Sequence, residues 1–143
     1  MTFFLFLTGC ADKEIDTSTL MDDITFEVVE VSPAINNQTD VMITMTNNSP
    51  YKIVQNTVLY LLIETNFDSN ETPRSASFLT NGNQLNIGPG ESVELTASYP
   101  SNIFKKDSDK PLVVSDRIQF VGYFNRLSDN MQYGFIKDAT VGK

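Results

Sequence analysis

The chain has 143 residues, with 10 Lys and Arg against 18 Asp and Glu and a net charge of −8. This length suits one domain with a sizeable core, and the acidic balance excludes nucleic acid as an expected partner because it repels the phosphate backbone. The chain has no His and only one Cys, which excludes Ser/His and Cys/His catalysis, His-containing metal sites and an internal disulfide.

The N-terminus carries the first motif. An apolar run at residues 3–7 leads into Leu7-Thr8-Gly9-Cys10, after which residues 11–14 are polar. An apolar run that ends at small residues is typical of a targeting segment that is removed by processing. The motif resembles the lipobox of bacterial lipoproteins. That resemblance implies cleavage between Gly9 and Cys10 and acylation of Cys10, with the protein anchored by lipid in the cell membrane and facing outside the cytoplasm.

The apolar run is shorter than the usual ~7–15 residues, and no Lys or Arg precedes it. We therefore expect residues 1–9 to be a truncated signal segment. The alternative is a buried N-terminal strand with a core Cys, since free Cys is often buried. Residues 10–23 then form the lipidated Cys and a flexible tether, with a short helix packed on the domain as the alternative.

From residue 24 onward, apolar and polar residues alternate, which is typical of half-buried strands. The run from Thr57 to Ile63 is apolar on both faces, which predicts a central strand covered on both sides. In Ser92–Tyr99 the odd-numbered residues from Val93 are apolar and the even-numbered ones polar. Strands are predicted at Ile24–Val28, Val41–Thr46, Thr57–Ile63, Ser92–Tyr99, Arg117–Phe124 and Met131–Lys137, with weaker signals at Ala76–Thr80 and Gln84–Ile87.

About seven short strands separated by turn residues, without a convincing helix, predict an all-β antiparallel β-sandwich over residues 24–143. Two turn motifs, Asn47-Asn48-Ser49 and Ile87-Gly88-Pro89-Gly90-Glu91-Ser92, resemble those of the small immunoglobulin-like domains of bacterial surface lipoproteins, including the FxLYD type. The resemblance spans residues 24–137. It implies an immunoglobulin-like sandwich and a binding or accessory role outside the cytoplasm, without catalytic residues.

One loop carries a candidate metal site. Asn66, Asp68 and Asn70 place side-chain oxygens at the first, third and fifth positions of a segment that begins like a calcium loop. The segment has Glu71 where a sharp turn favours Gly, so a plain solvated loop is the other interpretation. A calcium- or small-ligand-binding accessory lipoprotein is therefore the alternative function.

A second long connection contains Phe104, Lys105 and Lys106. An exposed aromatic side chain with a basic rim is a common composition for a binding hot spot, although Phe104 can equally pack beneath its own loop. We expect a non-catalytic, membrane-anchored binding or accessory lipoprotein that engages an unknown protein or cell-envelope component through its loops. We expect no cofactor and no enzymatic activity. A monomer is the default, and the edge strands of a sandwich leave a dimer open.

Overall fold

The structure is a computed structural model that describes residues 19–32, 35–65, 74–81, 86–103, 113–125 and 132–139. Seven strands in these ranges form two antiparallel sheets, so the predicted all-β sandwich is confirmed. In chain order the elements are α1 (Leu20–Asp23), β1 (Ile24–Val31), β2 (Gln38–Asn47), β3 (Ile53–Thr65), β4 (Arg74–Leu79), β5 (Ser92–Pro100), β6 (Val113–Phe124) and β7 (Gln132–Asp138).

The first sheet has the order β1-β2-β5 and the second the order β4-β3-β6-β7. Every pairing between neighbouring strands is antiparallel. This is the strand order of an immunoglobulin-like sandwich in which the fourth strand lies beside the third. The longest pairing joins β3 and β6, and it places β3 at the interior of its sheet, as expected of a central strand.

The strand alternation predicted for β5 is confirmed. Leu95 and Ala97 are fully buried, whereas Glu94 and Ser98 are exposed. The weaker signal at Ala76–Thr80 corresponds to β4. The other weak signal, Gln84–Ile87, is different: Ile87 makes an isolated bridge with Ile53, and residues 82–85 lie outside the described ranges.

The packed domain begins before residue 24. Leu20–Asp23, expected to be the end of the tether, form one turn of helix, and the Leu20 side chain is buried in the core beside β1. The apolar side chain at position 20 explains the difference, because burial stabilises it by about 1.5–3 kcal/mol. Residues 1–18 lie outside the described ranges. In the described part of the chain, no helix is long and apolar enough to cross a membrane.

Aromatic rings close both open sides of the sandwich. On one side Phe26 of β1, Phe120 of β6 and Phe135 of β7 form a triangle with centroids 5.2–6.1 Å apart. On the other side Tyr99 of β5 stacks on Tyr60 of β3 at 6.0 Å and contacts Phe78 of β4 at 5.5 Å. Each group joins the two sheets, so the sheets are held together at their edges as well as through the aliphatic centre.

Candidate interaction surface

The sequence-predicted site residues lie outside the described ranges. These are Gly9 and Cys10 of the lipobox, Asn66, Asp68 and Asn70 of the candidate calcium loop, and Phe104, Lys105 and Lys106 of the candidate binding loop. Their roles stay predictions. Among the residues that the structure describes, no three potential His, Cys, Asp or Glu ligands come together.

The candidate site in the described residues is the outer face of the four-stranded sheet. Along β3, Val58, Tyr60 and Leu62 point into the core, so Leu59, Leu61 and Ile63 point outward. These three are only half-buried. The prediction that both faces of this strand are covered is therefore wrong for the outer face, because a two-layer sandwich has a second sheet on one side of each strand only.

The strand register places further apolar side chains on the same outer face, where polar residues such as Gln119 and Ser77 lie between them. Leu59 lies beside Leu79 of β4 on one side and Gln119 of β6 on the other, and Gln119 lies beside Ile136 of β7. Leu79 is 62% exposed and Ile136 is 51% exposed. We call the surface formed by the following residues the apolar face: Leu59, Leu61, Ile63, Leu79, Val121 and Ile136.

The apolar face carries one ion pair. Arg117 of β6 lies between Leu61 of β3 and Asp138 of β7, and its Nε donates to the Asp138 carboxylate at 3.1 Å. The face continues over the β7 edge into an open groove of about 480 Å³, where Met21 of α1 lies near Ile136 and Lys137. Exposed apolar patches of this kind mark interaction sites more often than an isolated exposed side chain does.

The outer face of the three-stranded sheet is chemically different. Its outward positions carry Thr, Ser and Met42 together with four exposed carboxylates, those of Glu27, Glu30, Asp40 and Glu94. The sequences of β1, β2 and β5 contain no Lys or Arg. The outer face of the three-stranded sheet is therefore negative, whereas the apolar face carries an ion pair of opposite charges.

The edges of the three-stranded sheet are protected against pairing. β1 has a bulge between Val28 and Glu30, which interrupts its regular edge. On β5, Thr96 exchanges hydrogen bonds with Asn81, whose backbone N–H donates to the Thr96 carbonyl at 2.7 Å and whose Oδ1 accepts from the Thr96 N–H at 2.9 Å. Both features hinder the pairing of a further strand at the edges of this sheet.

The two turn motifs form one buried junction that supports the sheets. The Asn47 side chain is fully buried, and its Nδ2 donates to the carbonyls of Tyr51, Ile87 and Gly88 at 2.9–3.2 Å. Its Oδ1 accepts from the Ser49 N–H and from the Ser49 hydroxyl at 3.1 and 2.7 Å. Since every polar atom of this side chain bonds within the chain, the junction has a structural role.

Tyr60 is a buried tyrosine whose polar group also bonds within the chain. The Tyr60 hydroxyl donates to Asp116 Oδ2 at 2.6 Å. Burial, with the adjacent Asp116 carboxylate, raises the pKa of Tyr60 well above its ordinary value. Burial also raises the pKa of Tyr99, which stacks on it. Tyr60 thus stays protonated at neutral pH and serves as a hydrogen-bond donor to Asp116 rather than as a base.

No protein-family model matches the chain, and no curated protein matches it. Solved structures to which the chain is similar include the sporulation control protein Spo0M from Bacillus subtilis, at 10% identity and a TM-score of 0.42. Another is the GH20 exo-β-N-acetylglucosaminidase from Vibrio harveyi, at 14% identity and a TM-score of 0.41. The alignments cover 85% and 84% of this chain but only 49% and 18% of those proteins. At these scores, the likenesses carry no argument about function.

Proposed function

We propose that the protein is a non-catalytic binding or accessory lipoprotein, anchored by lipid on Cys10 and facing outside the cytoplasm. The observation that carries the binding role is the apolar face, because Leu79 is 62% and Ile136 51% exposed on a face that also carries the half-buried β3 residues. The lipobox motif Leu7-Thr8-Gly9-Cys10 supports the anchor, since two acyl chains hold a protein stably on a membrane.

Two polar groups of the described interior have structural roles. The Asn47 junction and the Tyr60–Asp116 hydrogen bond are both satisfied within the chain. The resemblance of the two turn motifs to surface lipoprotein domains supports the same proposal. The loop residues Phe104, Lys105 and Lys106 stay a prediction for a second contact, and the calcium alternative rests on Asp68 and its neighbours outside the described ranges.

Detergent phase partitioning tests the anchor. The protein is expressed in its native cells as the wild type, as Cys10→Ala and as Ala11→Ser, the last being a matched change beside the motif. We expect the wild type and Ala11→Ser in the detergent phase and Cys10→Ala in the aqueous phase. Partitioning of Cys10→Ala with the wild type would contradict lipidation at that residue.

Site-specific photo-crosslinking on intact cells tests the binding role. The photo-reactive amino acid p-benzoylphenylalanine replaces Leu79 on the apolar face or, as a control, Val29 on β1, which is 48% exposed. We expect a discrete crosslinked product from position 79 and none from position 29. Absence of a product at position 79, or equal products at both, would contradict binding through the apolar face.

A further inference from the structure

We propose that the apolar face is a self-association surface, and that its occupant is the same face of a second copy of this chain. This inference rests on the binding role proposed for that face, and it names the partner. It departs from the monomer expected by default from the sequence. Three properties of the described surface lead to it: charge, self-complementarity and area.

Charge selects the face through which two copies can approach. The chain has a net charge of −8, so most orientations of two copies bring like charges together. The outer side of the three-stranded sheet carries Glu27, Glu30, Asp40 and Glu94 without a basic residue in its strands, and two such faces repel. The apolar face carries Arg117 and Asp138, whose charges cancel. Of the two described sheet faces, it is therefore the one on which a second copy meets less repulsion.

The same ion pair makes the face self-complementary. In a two-fold contact each copy uses the same patch, so the patch must be complementary to itself. A patch with one cation and one anion meets this requirement, because Arg117 and Asp138 of one copy face both signs on the other. The Asp138 side chain is 85% exposed and is free to take part. Apolar residues on either side of the pair pack against their equivalents.

The area matches a weak dimer. Four strands about 4.8 Å apart and seven residues with a rise of about 3.4 Å give a footprint of about 450 Å² per copy. This lies at the low end of specific interfaces, where transient complexes are found. Two copies held on one membrane by the proposed anchor experience a raised effective concentration, which favours a contact of this size.

Sedimentation equilibrium of the full chain measures this association directly. All samples carry Cys10→Ala, so that neither lipid nor an intermolecular disulfide contributes. Between about 10 µM and about 1 mM we expect the mass to rise from 16.0 kDa toward twice that value. A mass that stays at 16.0 kDa throughout this range would overturn the inference.

Matched variants assign the contact to a face. The double variant Leu79→Ser/Ile136→Thr removes the two most exposed apolar side chains of the apolar face, and each is lost twice in the dimer. We expect the dissociation constant to rise at least tenfold. Val29→Thr/Val31→Thr on β1, where the residues are 48% and 51% exposed, is the control and should leave it unchanged. The inference would be overturned if both double variants weakened the dimer equally, or if Leu79→Ser/Ile136→Thr left the dissociation constant unchanged.

Charge exchange provides a test that does not depend on removing apolar groups. Arg117→Glu alone makes the face negative and should weaken the dimer at least tenfold, whereas Arg117→Glu/Asp138→Arg restores both signs and should regain most of it. Urea midpoints within error of the parent show that each variant is folded, since an exposed ion pair contributes little to stability. A failure of association with normal detergent partitioning would overturn self-association and leave the anchor standing. A crosslink from position 79 to a different protein would overturn the second copy as the partner, and it would support the binding role of the face.

Discussion

Replacement of Asn47 by Ala is the most informative single perturbation of the fold. The side chain is fully buried where the two turn motifs meet, and it makes five hydrogen bonds to groups up to 41 residues away. It therefore joins the end of β2 to the turn that precedes β5.

The expected loss follows from what remains after truncation. The Ile87 and Gly88 carbonyls keep backbone donors, from Ile53 and Glu91 respectively, and the Ser49 hydroxyl keeps its bond to the Tyr51 carbonyl. The buried Ser49 N–H loses its acceptor, which costs about 1–3 kcal/mol, and each lost bond adds about 0.5–1.5 kcal/mol without full additivity. We expect about 3–4 kcal/mol in all, a large share of the ~5–15 kcal/mol that stabilises a typical domain.

Urea unfolding followed by circular dichroism measures this loss. For a domain of this size we expect the midpoint of Asn47→Ala to fall by roughly 1.5–2 M. Asn48→Ala is the matched control, because that exposed side chain makes a single contact, with the Thr25 hydroxyl at 3.3 Å, and should change stability by less than about 0.5 kcal/mol. A loss below about 1 kcal/mol for Asn47→Ala, or equal losses for both variants, would refute the proposed role of the junction.

Two further changes test the interior. The pKa of Tyr60 is raised in the folded state, so above pH ~10 the unfolded chain loses the Tyr60 hydroxyl proton while the folded chain keeps it. The contribution of Tyr60 to the free energy of unfolding should therefore fall by about 1.36 kcal/mol per pH unit in this range. We expect the urea midpoint, measured from pH 7 to about 11.5, to fall less steeply with pH in Tyr60→Phe than in the wild type, the difference corresponding to one proton. Equal slopes for the two proteins would contradict this. Gly122→Ala should destabilise the domain by about 1–3 kcal/mol, because a Cβ at that position would clash with Cζ of the buried Phe120 ring. Thermal unfolding of this variant at the wild-type temperature would contradict the expected clash.

Local patterns in the sequence predicted much of the fold. The alternation in Ser92–Tyr99 specifies the inward and outward sides of β5 by itself, because successive side chains in a strand point to opposite faces. The same reasoning placed β4 from the short stretch Ala76–Thr80. The helical turn at Leu20–Asp23 is too short to show a period, so the polar residues before it dominate the pattern there.

Long-range contacts could not be predicted in the same way. The Asn47 junction joins residues about 40 positions apart, and the bond from Tyr60 to Asp116 joins residues 56 apart, so neither leaves a mark within one segment. The apolar face did leave a local signal in the sequence, the apolar run Thr57–Ile63. An apolar strand fits either burial on both sides or a half-exposed binding surface, and only the position of the second sheet distinguishes them.

The mass of the N-terminal peptide, from protein isolated in its native membrane, tests the proposed function most directly. We predict that the mature chain begins at Cys10 and that this residue carries a diacylglyceryl group. A peptide that retains residues before Cys10, with an unmodified thiol, would contradict the lipid anchor and with it the assignment of this sandwich as a membrane-anchored binding protein.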